Sequence, residues 1–324
     1  MRKLLKIAII FSSLGIILIL LAFILNGNKL PLAGETKPPK YHAIESKNLK
    51  NLKFHVTKSD IDIEPSNSDK IEVEYREGKN FYFSIEENAD ILLIKDTYKE
   101  KWFNFSFDFG FNFNNHYIKL KIPKELLVNL SIKNINGNIS LKDLHFKDIQ
   151  INDISGDINL SKLNTNNINL NSKSGNIRLN NIKAENNKLD IYNLSGNVLL
   201  KDIINSGSTN ITTTSGNIIF DNIVSKNIDS KTTSGNIEFS NSNNIIDNFI
   251  SESTSGNIII NEIKINKKLS LKNISGNIKT KISDKEENFN KNINNKNNTN
   301  SNSSLKNLNI TNTSGNIDID FIGY

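Results

Sequence analysis

Ser174-Gly175-Asn176-Ile177 is one copy of a short sequence that occurs nine times between residues 135 and 317. Successive glycines of these copies lie 19, 19, 21, 20, 19, 21, 20 and 39 residues apart. A fixed period near twenty residues is typical of a stacked repeat, in which each unit buries its apolar side chains against its neighbours. The nine glycines are predicted to be structural turns: Gly137, Gly156, Gly175, Gly196, Gly216, Gly235, Gly256, Gly276 and Gly315.

The residues around each glycine alternate between apolar and polar. Ile168 and Leu170 alternate with asparagines before Gly175, and Ile177 and Leu179 continue the alternation after it. Such a period of two predicts two short strands, and glycine suits the corner between them because it adopts a positive φ without steric cost. We therefore predict an all-β protein whose residues 131–324 form a right-handed, single-stranded β-helix or β-solenoid of about 20 residues per coil.

The two positions after the glycine are nearly constant. The first is asparagine in eight copies and Asp157 in the ninth, and the second is isoleucine or valine in all nine. Identical side chains stacked at one position per coil can form ladders. We interpret the asparagines as turn residues that tolerate the left-handed conformation and also form a ladder, with a polar binding stripe as the alternative.

The N-terminus predicts a membrane anchor. Residues 1–6 form a short basic end, and residues 7–25 contain no charged side chain. This length approaches the roughly 20 residues of a membrane-spanning helix, and the preceding basic residues place the N-terminus in the cytoplasm. We predict an uncleaved signal anchor, a tether over residues 26–44 and an extracytoplasmic C-terminal domain, so that the protein is a single-pass protein of the cell membrane. Cleavage near Leu32-Ala33-Gly34 is the alternative.

The net charge resides in the N-terminal residues. Residues 1–50 hold eight basic and two acidic side chains, a balance of 8 − 2 = +6, which equals the value for the whole chain, 40 − 34 = +6. The remaining residues are therefore neutral overall. This gives no support for nucleic acid as a partner, whereas a basic anchor suits an anionic membrane surface.

Residues 45–130 show strand-like alternation without the glycine repeat, and we predict that they form an N-terminal β region that caps the solenoid. Within this region six phenylalanines occupy alternate positions. They are predicted to cover the open end of the stack, and an exposed face for self-association or for a partner is the alternative. These residues are Phe103, Phe105, Phe107, Phe109, Phe111 and Phe113. Residues 283–304, rich in asparagine, lysine and serine, are predicted to be a disordered insertion.

The sequence provides no arrangement typical of catalysis. The chain has no cysteine and only four histidines, none of them paired at metal-ligand spacing, so we predict no metal site, no cofactor and no catalytic residue. Some β-helices carry rows of carboxylates that cleave polysaccharides. The carboxylates considered for this role do not recur in one register across neighbouring coils: Asp157, Asp190, Asp202, Asp221, Glu238 and Glu262.

One stretch carries a family resemblance. Ile118-Lys119-Leu120-Lys121-Ile122-Pro123, followed by Leu130-Ser131-Ile132 and the repeats, resembles the bacterial putative-adhesin family, a domain of unknown function with Ser-Gly-Asn/Asp-Ile β-helix repeats. The resemblance covers residues 45–324, although Asn136 replaces the serine of the first copy and residues 283–304 lie outside the pattern. It implies a noncatalytic surface or envelope protein, some of whose relatives are linked to envelope-stress responses. It brings no catalytic residues.

Two classes of function follow. The first is a noncatalytic, membrane-anchored, adhesin-like binding, scaffolding or envelope-sensing module, whose ligand is a protein or polysaccharide of the cell envelope or of a host surface. The alternative is a carbohydrate-active β-helix enzyme. Self-association through the phenylalanine face is a third hypothesis.

Overall fold

The computed structural model describes residues 38–78, 81–98, 116–240, 244–293, 296–297 and 306–323, together with Phe11 and Gly15. These residues are almost entirely β-structure, and their strands belong to one hydrogen-bonded sheet. Seven strands precede the first glycine repeat: β1 (Lys40–Glu45), β2 (Asn51–Val56), β3 (Asp60–Ser66), β4 (Lys70–Tyr75), β5 (Phe81–Asn88), β6 (Ile91–Tyr98) and β7 (Tyr117–Pro123).

The following strands form a β-solenoid, in which each coil pairs in parallel with the next. The pairing keeps equivalent repeat positions opposite each other, as Ile158 and Ile177 show. The strands are β8 (Asn129–Asn136), β9 (Ile139–His145), β10 (Asp148–Ser155), β11 (Ile158–Ser174), β12 (Ile177–Ser195), β13 (Val198–Ser215), β14 (Ile218–Ser234), β15 (Ile237–Ser240), β16 (Ile245–Ser255), β17 (Ile258–Ser275) and β18 (Ile278–Ile282). The last are β19 (Phe289–Ile293), β20 (Lys296–Asn297), β21 (Lys306–Ser314) and β22 (Ile317–Phe321).

The nine glycines lie in one column along the solenoid. All nine have positive φ values, between 115° and 152°. From Gly156 onward, a Cβ atom at each glycine would lie within 2.1 Å of the carbonyl oxygen of the preceding glycine. Both the backbone conformation and the close packing of successive coils therefore require glycine at this corner.

The asparagine column forms a ladder between coils. The side-chain Oδ1 of Asn217 accepts a hydrogen bond from the backbone N–H of Asn236 at 2.8 Å, and the N–H of Asn217 donates to Oδ1 of Asn197 at 2.9 Å. The same bond recurs along the whole column. Only the acceptor oxygen takes part, which explains why Asp157 can replace asparagine. None of these residues has a positive φ. The prediction that asparagine occurs here because it tolerates the left-handed conformation is therefore wrong, and the ladder hydrogen bond explains the asparagine instead.

This ladder gives a first testable expectation. Asn217→Ala removes an acceptor from the N–H of Asn236, and we expect the free energy of unfolding to fall by about 1 kcal/mol. Asn217→Asp keeps the acceptor and should remain within about 0.5 kcal/mol of the wild type. Urea unfolding followed by circular dichroism measures both variants. Equal losses in the two would contradict the role of the acceptor oxygen.

The interior of the solenoid is mainly aliphatic. The isoleucine or valine two positions after the glycine is fully buried in eight coils, and Ile317 at the end is half-buried. The rings of Phe220, Phe239 and Phe249 contact one another through the middle coils in tilted and edge-to-face arrangements, with centroids 5.9 and 5.1 Å apart. A single coil could not bury these residues alone. Stacking of the coils joins them into one continuous core.

A second interior column is polar and was not anticipated. It lies three residues before each glycine, where its members can bond to glycine carbonyl oxygens. Asn193 Nδ2 donates to the oxygens of Gly196 at 3.0 Å and Gly175 at 3.1 Å, and Asn273 Nδ2 donates to that of Gly256 at 2.9 Å. The column consists of Asn134, Asp153, Ser172, Asn193, Thr213, Thr232, Ser253, Asn273 and Asn312.

The stack begins one coil before the first glycine. Strands β2 and β3 pair in parallel with β8 and β9, and the carbonyl oxygen of Ser59 lies beneath Gly137 as glycine oxygens do elsewhere. Asp60 Oδ1 accepts from the N–H of Asn138 at 2.7 Å and so starts the asparagine ladder. Beyond this coil, β6 and β7 add in parallel, and β5, β4 and β1 continue the sheet in antiparallel pairing.

Two predicted boundaries differ from the structure. Residues 40–44 of the predicted tether belong to β1, which pairs with β4 and buries Ile44. Within the predicted disordered insertion, residues 286–288 form a 3-10 turn, and β19 pairs with β21 and buries Phe289. Each segment has only single apolar residues among polar ones, so the sequence pattern did not predict the pairing of β1 with β4 or of β19 with β21.

Other predicted features lie outside the described residues. These are the phenylalanine face at 103–113 and the anchor at 7–25, apart from Phe11 and Gly15. Within the described ranges, no helix has the length and apolar character needed to cross a membrane.

Candidate functional site

The residues considered for catalysis lie apart and have structural partners. Asp157 belongs to the asparagine column and pairs with Arg178 at 2.8 Å, and Asp221 pairs with Lys201 at 2.9 Å. Asp190 and Asp202 each accept a hydrogen bond from an asparagine of the next coil, and Glu262 accepts one from Ser283. Glu238 lies on β15, in a different register from the other five. The structure therefore brings no cleft of carboxylates together from this set.

One depression lies on the outer face of the strands that precede the glycine corner, near the N-terminal end of the stack. Its volume is about 730 Å³, and we call it the basic groove. Its floor is one row of outward-facing residues that cross-strand pairing places side by side. In order along the rod they are Lys95, His55, Lys133, Asn152, Asn171 and Tyr192.

One wall of the basic groove is formed by residues two positions nearer the glycines. Ile135 and Ile154 are 47% and 41% exposed, which is high for isoleucine, and Lys173 continues their row. At the far end Tyr192 is 48% exposed. The groove therefore combines apolar surface, an aromatic ring and amino groups, as ligand-binding surfaces commonly do.

Basic side chains lie around His55 in the groove. Burial and then the charges of Lys133, Lys95 and Lys53 hold the pKa of His55 below its usual range. Lys95 is paired with Glu86 at 3.0 Å. In the described part of the chain, Lys53, Lys133 and Lys173 have no carboxylate oxygen within 4.0 Å.

Two carboxyl groups lie beneath the groove. Asp96 is buried and accepts hydrogen bonds from the N–H and hydroxyl of Thr57, at 2.8 and 2.6 Å, and from the N–H of Lys58 at 3.1 Å. Asp153 is only 4% exposed, and burial raises its pKa to about 6, although a hydrogen bond from Asn134 opposes the shift. The first carboxylate is thus held by backbone donors, and the second keeps its proton to a higher pH than an exposed aspartate does.

A second depression, of about 310 Å³, lies on the outer side of β1, β4 and β7. Its walls mix charges of both signs, with Glu72 and Glu74 opposite Lys119 and Lys121. Among the residues that the structure places, no group of three histidine, aspartate or glutamate side chains is arranged to hold a metal ion. The basic groove is therefore the stronger candidate site.

The sequence analysis missed the basic groove, although part of its signal is visible. Lys133, Asn152, Asn171 and Tyr192 each stand four residues before a repeat glycine. Aligning the copies would have placed these four in one row. Lys95 and His55 precede the repeats, and they join this row only through the pairing of β6 with β2 and of β2 with β8.

The architecture and the groove define a class: an all-β solenoid with an open, positively charged groove on its side. The chain belongs to the Toastrack DUF4097 family, whose model matches residues 49–246 and 193–298. No curated protein matches the sequence.

Several solved structures are similar to this chain. A putative adhesin from Parabacteroides distasonis is 17% identical, with a TM-score of 0.46, over 89% of this chain and 99% of that one. A protein from the same organism described as a putative lipid binding protein is 15% identical, with a TM-score of 0.41, over 89% and 98%. A putative adhesin from Parabacteroides merdae is 13% identical, with a TM-score of 0.38, over 89% and 98%.

Proposed function

We propose that this protein is a noncatalytic binding module of the adhesin-like or envelope-sensing kind, anchored by residues 7–25 and held outside the cytoplasm. The observation that carries the proposal is the open basic groove on the side of a self-supporting β-solenoid. An open surface crossing several strands suits the capture of an extended ligand, whereas a catalytic cleft requires converging reactive groups. The six carboxylates considered above do not converge.

The membrane part of the proposal rests on the sequence. An uncharged segment of nineteen residues follows Arg2, Lys3 and Lys6. The positive-inside rule then directs the C-terminal domain away from the cytoplasm. Because β1 begins at Lys40, the tether would consist of residues 26–39, and these roughly 14 residues would hold that domain about 20 Å from the membrane surface.

Cell fractionation tests this arrangement. In a bacterial host, we expect the full-length chain to sediment with membranes and to resist carbonate extraction, because a spanning helix is held by the hydrocarbon core. Protease added to spheroplasts should digest the solenoid. A chain lacking residues 2–25 is the matched control and should leave the membrane fraction. Protection of the solenoid in intact spheroplasts, or complete extraction by carbonate, would contradict the proposal.

A further inference from the structure

We propose that the basic groove binds an extended anionic polysaccharide whose carboxylate groups contact Lys133 and Lys173 and whose chain runs along the axis of the solenoid. This inference names the ligand class for the binding module proposed above and rests on that function.

The positive charge of the groove is only partly compensated, because Asp96 and Asp153 lie beneath it but form no ion pair with its lysines among the described residues. The described residues offer Lys53, Lys133 and Lys173 no carboxylate partner within 4.0 Å. The buried Asp96 already accepts several hydrogen bonds from the turn at Thr57 and Lys58, so it does not reach out to the lysines. An anionic ligand would supply the missing partners, and such charge-assisted hydrogen bonds are stronger than neutral ones.

The lysines are spaced regularly along the rod. Lys95 and Lys133 lie on β6 and β8, with β2 between them, and Lys133 and Lys173 lie on β8 and β11, with β10 between them. Along the axis each interval is two strand spacings, or about 10 Å. Lys173 also stands two residues, or about 7 Å, nearer the glycine corner than the row that contains Lys133. A polymer that runs along the groove can therefore contact Lys133 and Lys173 through negative groups about 12 Å apart.

The uncharged residues of the groove fit a sugar chain better than a peptide. Asn171 Nδ2 donates to Asn152 Oδ1 at 3.2 Å, and the two amides still present Asn152 Nδ2 as a donor and Asn171 Oδ1 as an acceptor for hydroxyls. The exposed ring of Tyr192 offers a flat apolar surface. Every strand beneath the groove, from β6 to β12, is paired on both sides. A peptide would therefore find no free strand edge to extend.

The position of the groove favours a polymer of the same cell's envelope. Its residues lie on β2, β6, β8 and β10–β12, in the N-terminal half of the stack. If residues 7–25 anchor the chain, this half follows the tether directly. The groove is then close to the polymers that surround the membrane, and not at the distal end where a host surface would be met first.

A binding measurement with a charged polymer and its neutral form tests the inference. We expect the full-length chain in detergent to bind polygalacturonate, and to bind the fully methyl-esterified polymer at least about tenfold more weakly. The double variant Lys133→Gln, Lys173→Gln should weaken polygalacturonate binding by about tenfold or more. The double variant Lys279→Gln, Lys281→Gln is the control for charge, because both exposed lysines lie on β18, after the glycine corner and outside the groove.

Titration of His55 by NMR gives an independent measurement. Because nearby lysines contribute to its low pKa, the double variant should raise the pKa of His55 in the free protein. Binding of polygalacturonate should raise it in the wild type. An unchanged pKa in the free double variant would show that Lys133 does not face the groove as described, and would overturn the inference.

The remaining outcomes are also decisive. Equal binding of the charged and esterified polymers, equal losses in the groove and control variants, or binding to phosphatidylglycerol vesicles without binding to polygalacturonate would each overturn the inference. If the chain fractionates with membranes but binds no polygalacturonate, only the ligand class fails. If it binds polygalacturonate but does not fractionate with membranes, the anchored function fails and the groove assignment stands.

Discussion

Gly196→Ala should destabilise the solenoid by at least about 4 kcal/mol, a loss large enough to unfold many domains. Two effects combine at this position. The φ of Gly196 is +121°, a conformation that residues with a Cβ rarely adopt. The new Cβ would also lie 2.1 Å from the carbonyl oxygen and 2.7 Å from the carbonyl carbon of Gly175. Because these are backbone atoms fixed between neighbouring coils, they cannot move aside cheaply.

Urea unfolding followed by far-ultraviolet circular dichroism measures this effect. Ser195→Ala is the matched control, since Ser195 is exposed and precedes the same corner. It should change the free energy of unfolding by less than about 0.5 kcal/mol. A Gly196→Ala variant that unfolds within about 1 kcal/mol of the wild type would show that the coils are not packed through their glycine corners.

Asp153→Asn should stabilise the protein at neutral pH by about 3 kcal/mol. Burial raises the pKa of this carboxyl from 3.8 to about 6, a difference of roughly 2 units at about 1.4 kcal/mol per unit. Oδ1 accepts from Asn134 Nδ2 at 2.8 Å, but the buried Oδ2 has no hydrogen-bond donor among the described residues. Asparagine removes the charge and already occupies the equivalent place in other coils, for example at Asn193.

The pH dependence has a definite sign. Between about pH 4 and 6 the folded protein holds the proton of Asp153 more tightly than the unfolded chain does, so the contribution of this residue to stability falls as the pH rises. Below pH 4 both states are protonated and the wild type has no penalty. Above pH 6 the whole penalty is present. Asp153→Asn should therefore lie close to the wild type at pH 4 and above it at pH 7.

Thermal unfolding at several pH values compares the two proteins. Asp318→Asn makes the same change of charge at an exposed position on β22 and serves as the control. The difference between Asp153→Asn and the wild type should grow from pH 4 to pH 6, whereas the Asp318→Asn curve should remain parallel to the wild type. A constant difference across that range would refute the buried-charge explanation.

The repeat part of the fold could be predicted because its physics is local. Alternation around each glycine gives the strands, and the recurrence of the same motif gives the stacking of Gly175 on Gly156 and Gly196 on Gly175. The aliphatic column after the asparagines follows from the same register. These features need no knowledge of distant contacts beyond the period itself.

The features that were missed depend on pairing across the sequence or on positions that look ordinary. Ser59 occupies the corner of the first coil, where the later coils have glycine, so the repeat motif is absent there. Its position beneath Gly137 follows only from the pairing of β2 with β8. The polar interior at Asn193 and Asp153 contradicts the expectation that inward positions are apolar. The basic groove needed both the repeat register and the pairing of Lys95 with His55.

A second turn column was also visible in principle. Five residues placed six positions after successive glycines have positive φ, and four of them are asparagine or aspartate, the types that tolerate this conformation best. They are Asp143, Lys162, Asn181, Asp202 and Asn222. The residue type at this offset varies more than at the glycine. A comparison of the copies there would nevertheless have predicted a second turn in each coil.

Because of the asparagine ladder, one whole coil can be duplicated or deleted as a unit. Every copy both donates to the coil before it and supplies the acceptor for the coil after it, so duplicating or deleting one whole copy leaves all bonds intact. Such an event would change the length of the molecule by about 4.8 Å. Evolution can thus adjust the reach of this protein without altering the surface near its first coils.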